Sequence, residues 1–374
     1  MKKKLENRKN NKSIIVSTLI FVITFIAMAG YLIYFNLTQA ESIINNSYNK
    51  RQGVLSRRTI RGSILSDDKT KLAVTNVDDD GNETRYYPYS GLFSHTIGYL
   101  NNGGYGLESL YGYYMLHSNQ NFFEQIGNDL SGNRNTGDNV VTTLNVGLQK
   151  ACYDALGSNR GAVIVMEPST GKILAMVSKP DFDPNTLAAN WSQITGEGSD
   201  SVLVNRATQG LYPPGSTFKL ITMLEYLREH KNDYGQYHYI CDGTYELGNN
   251  TINCVRTTAH GDVDLFSSLA VSCNCSFINI GLSLDLDRYK KTAEKMLFNK
   301  ELPTNLEYNK SRFVLNGESS EWDIAQTSFG QGKTVITPFH LALITCTIAN
   351  NGTLMKPYLV SSVESTNGMT VKKF

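Results

Sequence analysis

Ser216 and Lys219 are the residues best placed for covalent chemistry, because Pro213-Pro214-Gly215-Ser216-Thr217-Phe218-Lys219 sets them one helical turn apart. Two prolines and a glycine make a rigid turn that cannot be helix interior, and the apolar run over 218–224 then predicts a buried helix. Ser216 opens that helix, where a backbone N–H has no intrahelical partner and the dipole favours negative charge. Lys219, at i+3, rises on the same face. A serine hydroxyl attacks only when a base takes its proton, and a lysine becomes such a base once burial lowers its pKa. The chemistry implied is that of an acyl-serine enzyme.

Spacing alone does not single out this pair. Ser-x-x-Lys also occurs at Ser47 and Lys50, Ser66 and Lys69, and Ser169 and Lys172. The first two lie in polar stretches with no apolar helix behind them. The third spans a turn between two apolar runs, where a solvated serine and lysine is the ordinary reading. A second constellation is Ser272-Cys273-Asn274, at the junction of two predicted helices. Its hydroxyl and carboxamide could hydrogen-bond a lysine amine, pass a proton to a leaving group and hold a peptide. A plain helix cap accounts for the same residues. Ser-x-Asn recurs at Ser47 and Asn49, Ser131 and Asn133, and Ser365 and Asn367, so placement rather than pattern marks Ser272 and Asn274.

The elements that must hold these groups follow from the apolar pattern. Runs at 161–166 and 173–178, joined by a Pro-Ser-Thr-Gly turn, are apolar throughout and predict a hairpin from a sheet covered on both faces. Helices are expected from 144 to about 156 and over 218–230, 265–270, 275–284, 288–295 and 339–349. Upstream, Ile64-Leu65 and Leu72-Ala73-Val74 predict two short strands around Asp67-Asp68. The stretch 86–135 is rich in Gly, Asn and Tyr, with helical periodicity only near 107–111, and 36–49 is expected to be a polar stalk. Nothing in the pattern completes the sheet that the hairpin starts.

A length of 374 residues allows two globular domains, and 41% hydrophobic against 18% charged residues excludes a disordered chain. The formal net charge of +1 gives no electrostatic footprint for nucleic acid. Ile14–Phe35 carries no charged residue, and as a helix it spans about 33 Å, enough for a bilayer core of about 30 Å. Six basic residues and one acid precede it, so the N-terminus is expected in the cytoplasm and the rest outside. The run is too long for a cleaved signal peptide. Six cysteines are too few for a disulfide scaffold. Cys241 and Cys254 bracket a turn-rich insert and are either bridged or two free thiols. With no Cys-x-x-Cys or His-x-x-x-His spacing, no metal site is expected.

Together these segments resemble a class B penicillin-binding protein, a single-pass peptidoglycan transpeptidase. The resemblance runs through the anchor, Arg61-Gly62-Ser63-Ile64, Gly106-Leu107-Glu108, Leu144-Asn145-Val146-Gly147-Leu148-Gln149 and 161–178. It continues through Asn205-Arg206-Ala207, 213–219, Ser272-Cys273-Asn274, Gly330-Gln331-Gly332 and Thr337-Pro338. It implies an α+β fold: a cytoplasmic tail (1–13), a transmembrane anchor (14–35), a small mixed pedestal (36–141) and a β-lactamase-like transpeptidase domain (142–374), whose antiparallel sheet has helices on both faces. Ser216 resembles the acylated nucleophile and Lys219 its base, with Ser272 and Asn274 as the second motif. The implied substrates are stem peptides ending in D-Ala-D-Ala, with β-lactams as covalent ligands, a membrane setting, cell-wall synthesis partners, and neither metal nor organic cofactor. The alternatives are a D,D-carboxypeptidase or β-lactamase, and a non-catalytic β-lactam sensor or cell-wall scaffold.

One motif of the resemblance is missing. The third, Lys-Thr-Gly on a sheet-edge strand, would follow the Gly-Gln-Gly segment by several tens of residues. After the Gly-Gln-Gly segment the one Lys-Thr pair, Lys333-Thr334, is followed by Val335 and stands too early. The chain is therefore expected to be an incomplete copy without the last strands. Residues 36–374 alone are expected to aggregate and to bind penicillin substoichiometrically, because an apolar strand edge stays unpaired.

Overall fold

A computed structural model describes residues 2–38, 55–196 and 198–374. The stalk expected over 36–49 lies mostly outside the described residues. Helix α1 (Lys2–Thr38) contains Ile14–Phe35, a helix long and apolar enough to cross a membrane. Next come β1 (Ile64–Leu65), β2 (Lys71–Val77), β3 (Glu83–Tyr86) and β4 (Asn139–Thr142). Helix α2 (Val146–Leu156) leads into the hairpin β5 (Gly161–Met166) and β6 (Ile173–Lys179). Helix α3 (Lys219–Glu229) precedes β7 (His238–Cys241), β8 (Thr244–Leu247), β9 (Asn250–Asn253) and β10 (Gly261–Asp264). Helices α4 (Leu265–Ala270), α5 (Asn274–Ser283), α6 (Leu286–Lys295), α7 (Glu321–Ser328) and α8 (Pro338–Ala349) follow, then β11 (Val360–Glu364) and β12 (Thr370–Lys373).

The expected strands around Asp67-Asp68 form as β1 and β2, antiparallel with Ile64 opposite Ala73. They belong to a six-stranded sheet of order β12-β11-β4-β1-β2-β3, so strands from late in the chain join early ones. Val140 pairs with Val363 on one side and Ile64 on the other, and all three are buried. One core continues from this sheet through Ile173 and Met176 of the hairpin to Phe339 and Leu343 of α8, across the 141/142 boundary.

The hairpin forms as expected, with Ile164 opposite Met176. The outer edge of β6 is closed by α2 and its approach. Gln149 donates to Met176 O and accepts from Met176 N, both at 2.9 Å, and Asn145 N donates to Leu174 O. A buried backbone edge needs such partners, because each orphaned group costs about 1–3 kcal/mol. Among the described residues β5 pairs with β6 alone. Beside β5, a groove of about 430 Å³ opens against Leu341 and Cys346 of α8.

A second core surrounds α3. Phe218 packs edge-on against Phe298 and stacks on Phe313, with ring centroids 5.5 and 6.0 Å apart. Its truncation to alanine would cost about 3–5 kcal/mol and release the turn that carries Ser216. Thr222 ties α3 to two neighbours, through the Tyr289 hydroxyl at 2.6 Å and Ser328 O at 2.8 Å. Helix α5 runs close to α7 because Gly281 has no side chain, since a Cβ there would lie 1.7 Å from Ser328 Oγ. Among the described helices of eight residues or more, two escaped the sequence reading, α7 and Phe122–Ser131. Helix α7 carries its own signal in Ser320-x-x-Asp323, where the Ser320 hydroxyl accepts from Asp323 N.

Candidate active site

Ser216 lies in a 3-10 turn, Gly215–Phe218, and Lys219 is the first residue of α3. The tighter turn keeps the two side chains on one face, as the i+3 spacing predicts. The turn is backed by Gly330. Gly215 N donates to Gly330 O at 2.8 Å, and a Cβ on Gly330 would come within 1.9 Å of Gly215 O. Gly330 also has φ +83°, so any other residue there would displace the serine turn. Its part in the resemblance thus has a steric cause.

Lys219 is fully buried, and its Nζ is held by oxygen atoms from three residues. It lies 2.7 Å from Ser272 O, 2.9 Å from Ser272 Oγ, 2.8 Å from Asn274 Oδ1 and 3.3 Å from Ser216 Oγ. Ser272 Oγ also donates to Ser216 Oγ at 3.0 Å, closing a triangle of serine, serine and lysine. All four residues expected from the sequence therefore meet. Ser272 sits at φ +54°, a left-handed conformation that costs a non-glycine residue of order 1 kcal/mol or more. With it, both the carbonyl and the hydroxyl of one residue reach the amine.

Four acceptors surround an ammonium that has three protons, and the longest contact is to Ser216. Burial is the main influence on Lys219 and pushes its pKa down, while negative charge on the sulfurs of Cys273, Cys254 and Cys275 pulls it partly back, leaving it at about 8. With a pKa of about 8, about one lysine in ten is neutral at pH 7, a useful fraction for a general base. Every acceptor on Nζ is a neutral oxygen, so no carboxylate traps the proton.

Asn274 is itself fixed from outside the motif, because its Nδ2 donates to Asn253 O at 3.0 Å. Nothing in the sequence pointed to Asn253, a backbone contact at the end of β9. Cys273, between the two motif residues, points the other way and caps α5 by accepting from Ser276 N. It is fully buried beside Cys241, Cys254 and Cys275.

The competing pairs do not converge on this site. Ser66 bonds Asp68, and Lys69 pairs with Glu364. Lys172 faces Glu167 across the hairpin turn, and Ser47 and Lys50 lie outside the described residues. Lys333 pairs with Asp323 on the surface, while Thr334 is buried and its hydroxyl has no partner.

Two family models match the chain. The penicillin binding protein transpeptidase domain matches residues 161–373, and the penicillin binding protein A dimerisation domain matches 61–140. The peptidoglycan D,D-transpeptidase PbpA of Mycolicibacterium smegmatis is 31% identical over 312 residues, covering 78% of this chain and 61% of that protein. PbpA of Mycobacterium tuberculosis H37Rv is 35% identical over 262 residues, 65% of this chain and 52% of that protein. This chain thus spans about half to three fifths of the length of those relatives. Among solved structures, an imipenem acyl-enzyme complex of M. tuberculosis penicillin-binding protein A superposes with a TM-score of 0.76 at 29% identity, over 85% of this chain and 77% of that one.

Proposed function

The chain belongs to the penicillin-binding protein transpeptidase family, and from that premise we propose that it carries the acylating centre of a peptidoglycan D,D-transpeptidase. The convergence of Lys219 Nζ with Ser216 Oγ, Ser272 Oγ and Asn274 Oδ1 supports this reading. Ser216 Oγ attacks the penultimate D-Ala carbonyl of a stem peptide ending in D-Ala-D-Ala. Neutral Lys219 takes the hydroxyl proton, directly or through Ser272, and the C–N bond breaks as D-Ala leaves protonated. An amine of a second stem then attacks the acyl carbon, the ester bond to Ser216 breaks as the cross-link forms, and a proton from that amine passes through Lys219 to restore the serine hydroxyl. Asn274 holds the amine and offers its carboxamide edge to the peptide. A β-lactam enters by the same attack, and its ring-opened acyl group stays on Ser216.

The proposed layout assigns 1–13 to a cytoplasmic tail, 14–35 to the anchor, 36–141 to a pedestal and 142–374 to the transpeptidase domain. The basic residues before Ile14 support a cytoplasmic N-terminus, with the acylating centre outside the cell near other cell-wall synthesis proteins. The test is covalent labelling with fluorescent penicillin in a form of the protein that takes the label. Label should map to the peptide containing Ser216, and Ser216→Ala should abolish it. Label retained in that variant, or mapped to Ser169, would overturn the assignment.

A further inference from the structure

Behind the Ser272–Asn274 segment lies a group of side chains that acyl transfer does not use. Cys241 ends β7, and its partner across the ladder is Gly261, next to His260. The β8–β9 hairpin then returns the chain to Cys254, whose N–H donates to Gly243 O. Cys273 approaches from the start of α5. Cys241, Cys254 and Cys273 are buried and His260 is half-buried, with one ligand atom from each lying within 4.8 Å of every other.

The separations fit a tetrahedral ion. Sulfurs about 2.3 Å and a nitrogen about 2.0–2.1 Å from tetrahedral zinc stand about 3.8 Å apart sulfur to sulfur, and about 3.6 Å sulfur to nitrogen. Here Cys241 Sγ lies 3.8 Å from Cys254 Sγ, Cys254 Sγ lies 3.8 Å from Cys273 Sγ, and Cys241 Sγ lies 3.5 Å from His260 Nδ1. None of these sulfur pairs is near the bonded distance of a disulfide, about 2.05 Å. Three thiolates and one imidazole form a closed set that suits a borderline-soft divalent cation, zinc above all.

We propose that Cys241, Cys254, His260 and Cys273 bind one structural zinc ion, which fastens the β7–β10 ribbon to the back of the Ser272–Asn274 segment. Cys275, whose Sγ is 3.4 Å from that of Cys254, falls outside the mutually close set and is assigned no role as a ligand. The spacing of 13, 6 and 13 residues between successive ligands matches no short motif, because the fold rather than the chain brings them together. The sequence-based expectation of no metal site came from that spacing.

The test is elemental analysis of the full-length chain, purified in detergent under reducing conditions and dialysed against metal-free buffer. About one zinc per chain is expected, with the strong visible bands of a tetrahedral thiolate site after exchange to cobalt(II). Cys241→Ser combined with Cys254→Ser should lose the metal, whereas Cys275→Ser should keep it. A folded, metal-free wild type with a Cys241–Cys254 disulfide, or with four free thiols, would overturn the proposal. So would zinc that persists in the double variant, and loss from Cys275→Ser would overturn the ligand set. If the double variant does not fold, zinc content and the cobalt spectrum of the wild type still decide.

Discussion

Glu108 and Lys219 are each buried to within 1% of complete exclusion from solvent, yet their surroundings differ in kind. Glu108, in the region matched by the dimerisation model, accepts from Arg61 Nε at 2.8 Å and from Arg85 Nε at 2.7 Å. Burial pushes its pKa up, but Arg85 and Arg61 outweigh burial and hold it below the usual glutamate value. Lys219 donates hydrogen bonds of similar length to neutral oxygens alone, and burial brings it down to about 8. Full ion pairing locks a protonation state, whereas solvation by neutral oxygens leaves it free to change. The first arrangement suits a strut and the second a base.

Substitutions test that contrast, beginning at the base. Lys219→Arg retains charge that cannot be given up near neutral pH. Acylation by penicillin should fall by about 100- to 10,000-fold while thermal melting stays cooperative. A stopped-flow rate within about tenfold of wild type, a barrier change of about 1.4 kcal/mol, would show that another group takes the proton. On the other side, Glu108→Gln leaves two buried guanidinium groups without a counter-charge, and stability should drop by about 3–5 kcal/mol in urea titration. The acylation rate of the folded fraction should be unchanged, because Glu108 touches none of the four site residues.

The Glu108 pair also predicts a pH dependence with a definite sign. A carboxylate whose folded pKa is depressed contributes stability that is present above its unfolded value, about 4.3, and lost as pH falls through the lower folded value. Glu108→Gln should flatten this acid limb, seen as a smaller change in melting temperature below about pH 4.3 than in wild type. Finally, Asn274→Asp would make the base resemble the strut. A carboxylate 2.8 Å from Nζ should raise the Lys219 pKa by about 1–3 units, so acylation at pH 7 should fall about 10- to 1,000-fold and partly recover at higher pH. Equal loss at every pH would point to lost positioning instead.

Much of the site was legible because its signals are local. A rigid turn before an apolar helix fixed the relation of Ser216 to Lys219, and two short predicted helices fixed where Ser272 and Asn274 fall. The helices expected over 265–270 and 339–349 form at Leu265–Ala270 and Pro338–Ala349. What escaped depends on distant partners. Gln149 reads as an ordinary helical glutamine until it closes the edge of β6, and Asn253 acts through a carbonyl that its side chain does not announce. The thiol cluster joins residues up to 32 positions apart, from Cys241 to Cys273. The late strands that enter the first sheet carry no pattern naming their partner, because alternation gives the face of a strand but not its neighbour.

That last pairing bears on how the protein is made. Strand β4 ends at Thr142, and β11 begins at Val360, over 200 residues later. At a synthesis rate of about 5–20 residues per second, roughly 10 to 45 s separate the emergence of the two strands. Throughout that interval one backbone edge of β4 waits unpaired on a nascent chain. Synthesis order and sheet order are therefore at odds. The early region, whose buried Glu108 pairs with arginines of that same region, cannot close its sheet until the ribosome has passed the whole of the helical core. Completing that sheet is a late, long-range event, so agents that delay β11 act on the oldest part of the molecule.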